Sequence, residues 1–243
     1  MFGIRLQLRL LQTRDNSIAQ EESIAKGFKG QSYLSHPLDN VEIRVRPARE
    51  NELVVSQSAW TLTEVVYHAF ELDPSIPPGP GTPILQLLAA KYGMSQDQAA
   101  QAEAAVAAKA TAAGLPFTGS RVMGNTFDAH RLVRLGRERG LQDQVLQGLY
   151  EAYFGAGQPI FEPAELTGLA AAAGLDPAEA ARALADGSYA DAVREDEAQA
   201  GALGISGVPF TVLDNRYAVS GAQPPEAFAA ALDRAWSESH SES

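Results

Sequence analysis

Beyond residue 62 the chain carries a strand-like pattern at only two places, with a long helical block between them. The first is Glu64-Val65-Val66-Tyr67-His68-Ala69-Phe70, a β-branched and aromatic run that suits a pleated surface. The prolines at 74, 77, 78 and 80 end it. The second is Phe210 to Leu213 followed by Arg216 to Val219. The residues between them, Asp214-Asn215, both tolerate positive φ, which predicts a two-residue hairpin. A strand left alone exposes unpaired amides and carbonyls, so the hairpin is expected to pack beside the 64–70 strand. The order strand, helices, hairpin, helix is that of an α/β core with a large helical insertion.

Each helix of the block carries its punctuation. Thr82 is placed as a cap with Pro83 at the first helical position, and Gly93 lies past the end. Ser95 and Gln98 form a capping-box pair, with Gly114 closing that helix. Thr126 is the cap expected before Ala129, Leu132, Val133 and Gly136, an i, i+3, i+4, i+7 stripe ending at Gly140. A helix over about 142–154 follows, then one opened by Pro163 and closed by Gly174. Asp176-Pro177-Ala178-Glu179 reads as cap, first-turn proline and N3 acid, and Ser188 with Asp191 opens a helix running to about Ala202. Pro224-Pro225 starts the last helix, with Phe228, Leu232 and Trp236 on one face.

The first 62 residues are built differently. They hold 4 alanines against 38 in the remaining 181, and their formal charge is +1 against −12. Alanine is the strongest helix former, so the break at residue 62 separates two recipes. Ile4, Leu6, Leu8 and Leu10 alternate with Arg5, Gln7 and Arg9, the period of a strand with one buried face. Ile18 to Lys26 reads as a short helix, and Val41 to Val45 and Leu53 to Val55 as further strands. The arginines at 44, 46 and 49 read as a solvated strand edge.

Composition excludes several kinds of chemistry. The chain of 243 residues has no cysteine, hence no disulfide framework, zinc–thiolate site, iron–sulfur cluster or cysteine nucleophile. A net charge of −11 argues against nucleic acid as the partner. No apolar run approaches the ~18 residues of a membrane span and no secretory signal is visible, so no membrane partner is expected. The histidines at 36, 68, 130 and 240 have no i, i+4 pairing, and no metal site or cofactor is expected. His130, bordering the apolar stripe, reads as a half-buried, hydrogen-bonded core residue. Gly204-Ile205-Ser206-Gly207 is one residue short of a nucleophile elbow, and Gly155-Ala156-Gly157 follows a helix rather than a strand. Glu195, Asp196 and Glu197 read most simply as a solvated helix face.

One local feature remains. Ser206-Gly207-Val208-Pro209-Phe210 puts a proline at the first position of a strand, where a missing amide is tolerated at a strand start, at an edge or in a cis turn. From the residues alone an ordinary trans proline is the simpler reading.

The stretch Gly204-Ile205-Ser206-Gly207-Val208-Pro209-Phe210, followed by Arg216-Tyr217-Ala218-Val219-Ser220-Gly221-Ala222-Gln223-Pro224, resembles the DsbA-like thioredoxin family, specifically its FrnE-type branch. So do Tyr67-His68-Ala69-Phe70-Glu71-Leu72-Asp73-Pro74, Gly114-Leu115-Pro116-Phe117 and Asn125-Thr126-Phe127-Asp128-Ala129-His130-Arg131-Leu132. The blocks keep the family's order and cover about residues 63–237. The resemblance implies an α/β thioredoxin-like core with a helical insertion of about residues 80–202, in a domain of residues 63–243. It implies a thiol–disulfide oxidoreductase, usually cytoplasmic in this branch. It also implies a cis bond at Pro209, with Gly207, Val208 and Pro209 holding a thiol or disulfide peptide as an added strand. A related branch, the kappa-class glutathione transferases and hydroxychromene-carboxylate isomerases, holds glutathione at the same loop.

The departure from the family lies upstream. Its reactive Cys-Pro-Trp-Cys type loop, or the serine of the glutathione branch, follows the first strand, and neither block is present before residue 63. Ser56 and Ser58 stand too few residues before the 64–70 strand for a parallel crossover, which needs a dozen or more. Strand 4–10 is a better substitute, but its alternating arginines are wrong for a strand buried on both faces. Residues 1–62 are therefore read as an atypical segment outside the resemblance, either a replacement or the product of a shifted reading frame. No catalytic residue is assigned. The expectation is an oxidoreductase by family that lacks disulfide exchange; the alternatives are a non-catalytic peptide- or glutathione-binding module and a glutathione-dependent isomerase or transferase.

Overall fold

A computed structural model describes residues 2–10, 45–46, 52–53, 62–213 and 215–241. Ala69–Gly207 makes up nearly all of one compact unit; Ile4–His68 with Val208–Ser243 makes up the other. The cuts between the two fall after residues 68 and 207. The helix expected over 18–26, most of the strand residues expected over 41–45 and 53–55, and Arg44 and Arg49 lie outside the described residues.

The second unit is built on a mixed sheet. Its strands are β1 (Phe2–Leu10), β2 (Val45–Arg46), β3 (Glu52–Leu53), β4 (Leu62–Glu71), β7 (Phe210–Leu213) and β8 (Tyr217–Ser220). Their order across the sheet is β2-β3-β4-β1-β7-β8. The expected partnership is thereby corrected: the hairpin and the 64–70 strand share one sheet but are not neighbours, because β1 lies between them. β1 runs parallel to β7, with Arg5 opposite Phe210 and Leu8 opposite Leu213. Alternation of leucine and arginine argued against an inner position for this segment, yet backbone pairing is indifferent to side chains, and β4 and β7 each need a neighbour. The hairpin is also corrected. Leu213 faces Tyr217, so the loop spans residues 214–216, and Asn215 takes the left-handed conformation at φ 54. The last helix, α8 (Pro225–Ser241), packs on β7 and β8 and buries Phe228, Leu232 and Ala235.

The helical unit begins where β4 ends. A two-stranded ribbon pairs β5 (Thr82–Pro83) with β6 (Val122–Met123), so Thr82 is a strand residue and Pro83, rather than Thr82, stands at the cap of the helix that follows. Around it lie α1 (Ile84–Tyr92), α2 (Gln96–Ala112), α3 (Phe127–Glu138), α4 (Gln142–Tyr150), α5 (Pro163–Ala172), α6 (Pro177–Asp186) and α7 (Ala190–Ala202). With α8 these make eight α-helices among the described residues. A π-helical turn at Glu151–Gly155 extends α4 and absorbs Gly155, so the glycines at 155 and 157 belong to a helix end and not to a nucleotide loop.

The expected caps hold in part. Ser95 and Gln98 form the capping box, and Asp176 accepts the amide of Ala178 with Pro177 in the first turn. Thr126 stands at the N-cap of α3 as expected, but its side chain makes no capping hydrogen bond; the side-chain Oδ1 of Asn125 accepts the Phe127 amide at 3.0 Å instead. Ser188 does not open α7, because its hydroxyl is turned to Asp186, and Tyr189 occupies the cap at φ 65.

Helix α3 is the axis of this unit, packed against α4, α5, α6 and α7. Its predicted stripe is fully realised: Ala129, Leu132, Val133 and Gly136 are all buried. Gly136 sits where α4 crosses closely, and a Cβ there would lie 2.9 Å from Val145 Cγ2 and 3.3 Å from the Leu141 carbonyl oxygen. Arg131 is buried as well. Its Nε donates to the Ser188 carbonyl at 2.8 Å, and its two terminal nitrogens donate to the carbonyls of Leu184 and Ala183 and to Asp128. One guanidinium thus satisfies carbonyls left open at the end of α6.

At Gly136, substitution by alanine is expected to overpack the α3–α4 contact and to destabilise the chain by about 1–3 kcal/mol. Denaturant titration checks this, and an unchanged midpoint would contradict the close approach.

Candidate functional site

The candidate site is the loop that feeds β7. Helix α7 ends at Ala202, and Gly204 at φ 68 lets the chain turn back so that the Ile205 amide reaches the Ala200 carbonyl at 2.9 Å. Ile205 is buried, which pins the start of the loop, whereas Ser206 is exposed. The Val208–Pro209 peptide bond is cis. Proline supplies no amide, and its carbonyl accepts the Gly221 amide at 2.9 Å, tying the loop to the end of β8. Gly221 takes φ 77, a conformation that favours glycine, so the residue after β8 is chosen for this turn. Gly207, Val208, Pro209 and Phe210 are all half-buried: fixed on one side and accessible on the other.

The expected residues Gly207, Val208 and Pro209 are therefore consecutive on one loop, with the cis bond in place. A Cβ on Gly207 would meet nothing within 4 Å, so steric room is not what requires glycine there. Ser206, the residue of the incomplete elbow, stands beside the loop. Ser56 and Ser58 lie outside the described residues.

His130 sits on α3 at 2% exposure, deeper than the half-buried position expected. Burial pushes its pKa down to about 3, which leaves a neutral imidazole in the core.

The acidic run 195–197 is the larger correction. Asp196 is buried and accepts the Ala69 amide at 2.9 Å, with Arg134 at 4.0 Å. Glu197 binds Arg194 at 2.7 Å, and the same Arg194 nitrogen lies 3.0 Å from the buried Glu71. Two of the three acids thus serve the end of β4 rather than a solvated face. The spacing of Arg194 and Glu197 by three residues on a helix was visible, but their partner stands more than a hundred residues upstream.

The described residues contain no helix long and apolar enough to cross a membrane. They also contain no group of three or more histidine, aspartate or glutamate side chains arranged to hold a metal ion.

Comparison with known proteins agrees with this architecture. No curated protein matches the chain. Among solved structures, the chain is similar to the crystal structure of a probable DsbA oxidoreductase from Streptomyces coelicolor. The two are 46% identical and superpose with a TM-score of 0.66, over 70% of this chain and 74% of the other. The profile of the DSBA-like thioredoxin domain matches residues 49–233, beginning inside the segment that the sequence motifs left aside. With a mixed α/β core, a helical insertion and a cis-proline loop in the expected order, the chain belongs to the DSBA-like thioredoxin domain family.

Proposed function

We propose that this chain is a binding member of an oxidoreductase family: it keeps the loop that holds a substrate strand and has given up disulfide exchange. Thiol–disulfide exchange needs a thiolate to attack a sulfur, and the chain has no cysteine to supply one. The observation that carries the binding half of the reading is the half-exposed loop Gly207 to Phe210 at the entrance of β7, held by the bond from the Gly221 amide to the Pro209 carbonyl. An extended peptide laid along this edge pairs with the backbone of Val208, as an added strand pairs with a sheet edge. Glutathione, which is itself a short extended peptide, fits the same description. The site as described needs no metal or cofactor, and a cytoplasmic setting follows the FrnE-type branch.

The first half is tested by insulin reduction with a thiol reductant. The expected rate equals that of the control without protein, and turnover above it would restore the enzyme reading. The second half is tested by titration calorimetry of the full chain with glutathione and with extended peptides. Saturable heat with at least one of them is expected. In Val208→Pro, which lacks the amide at this edge, that heat should be lost. Absence of heat with both kinds of ligand would overturn the reading, as would undiminished binding by Val208→Pro.

A further inference from the structure

Glu71 ends β4 inside the helical unit, with its side chain only 2% exposed. Three parts of the unit converge on it. From α7, Arg194 Nη1 stands 3.0 Å from Glu71 Oε2 and 2.7 Å from Glu197 Oε2, so a single nitrogen serves two carboxyls. From the loop before α3, Asn125 Nδ2 stands 3.4 Å from Glu71 Oε1 and donates to the Ile76 carbonyl at 2.8 Å. The same Asn125 caps α3 at Phe127, and the Phe127 ring lies 4.1 Å beneath the Arg194 guanidinium. Glu71 is thus a junction between the end of β4, the turn that follows it, the start of α3 and the middle of α7.

Among the described residues the charges at this junction do not balance: two carboxyls meet one guanidinium. Charged groups on the neighbouring elements have partners of their own. Lys91 of α1 binds Asp73 at 2.6 Å, Arg134 faces Asp196, and Arg131 binds Asp128 at 2.6 Å. His130, on the same side of α3, is neutral above about pH 3. A buried carboxyl beside a second carboxyl is most stable with its proton retained.

We propose that the buried Glu71 retains a proton beside Glu197, and that its loss with rising pH slackens the junction of β4, α3 and α7. The proton rests on Glu71. Burial first, then the hydrogen bond and charge of Glu197, raise its pKa to about 7 against the opposing pull of Arg194. The folded state therefore keeps a proton that the unfolded chain releases near the ordinary carboxylate value of 4.5. This contribution to stability is whole below that value, declines as pH rises to about 7, and is flat above it. Asp73, held down to about 2 by Lys91 and Ser75, is already ionised throughout this window. The buried neutral His130 works in the opposite sense, since the unfolded chain takes up a proton below pH 6.5. Only a difference between variants isolates Glu71.

The test is hydrogen exchange of the full chain over residues 69–76 and 190–200, corrected for intrinsic rates, in the wild type and in Glu71→Gln. The ratio of wild-type to variant opening is expected to rise on the order of tenfold or more between pH 5 and pH 7. A ratio that does not change with pH would overturn the proposal. A carbon NMR titration of the wild-type glutamate carboxyls stands even if Glu71→Gln fails to fold. One resonance should titrate near pH 7 and move to lower pH in Glu197→Gln. Titration of every glutamate in the ordinary carboxylate range would refute the proton retained on Glu71.

Discussion

Backbone pairing along β7 is the constraint on which the rest of the molecule depends. This strand of four residues has β1 on one side and β8 on the other, and its entrance is fixed by the bond from Gly221 to the Pro209 carbonyl. A strand so short contributes little by side-chain burial alone, although Leu213 and Thr211 are buried. Its place is set by the amides and carbonyls that must find partners once water is excluded. That need brings a segment of quite different composition, β1, into the interior of the sheet. It also presents the loop ahead of β7 as a half-exposed edge, which is where binding is proposed.

The separation of family from chemistry follows from where each is encoded. Five blocks between Tyr67 and Pro224 carry the fold, and none of them contains the reacting atoms. The fold survives without cysteine because its stability lies in α3 and the helices around it, in the ribbon of β5 and β6, and in the packing of α8 on the hairpin. Chemistry in this architecture is an addition to a scaffold, so losing the nucleophile leaves the scaffold intact.

What could be read from the residues was local. The capping box at Ser95, the Asp176-Pro177 start and the stripe through Leu132 are short-range patterns, and they reappear as drawn. The cis geometry at Pro209 was legible only through the likeness of neighbouring blocks, since composition favoured the ordinary bond. What stayed hidden was non-local. Thr126 keeps the cap position of α3, but Asn125, which also binds Ile76 and Glu71, supplies the capping hydrogen bond. Asp196 and Glu197 looked like solvent-facing acids because their partners, Ala69 and Glu71, lie on a strand that no helical periodicity reports. The inner position of β1 was obscured for a similar reason: alternation describes faces, whereas neighbours in a sheet are chosen by the backbone.

Arg131 fixes more than the packing of α3. Its planar fork reads three carbonyls, at 183, 184 and 188, whose spacing depends on the exact number of residues between α6 and α7. Adding or removing one residue in that connection would carry at least one oxygen out of reach, and a lysine could not span the set. Length variation among relatives of this chain should therefore spare the connection from 186 to 190 and collect in turns that no buried side chain measures.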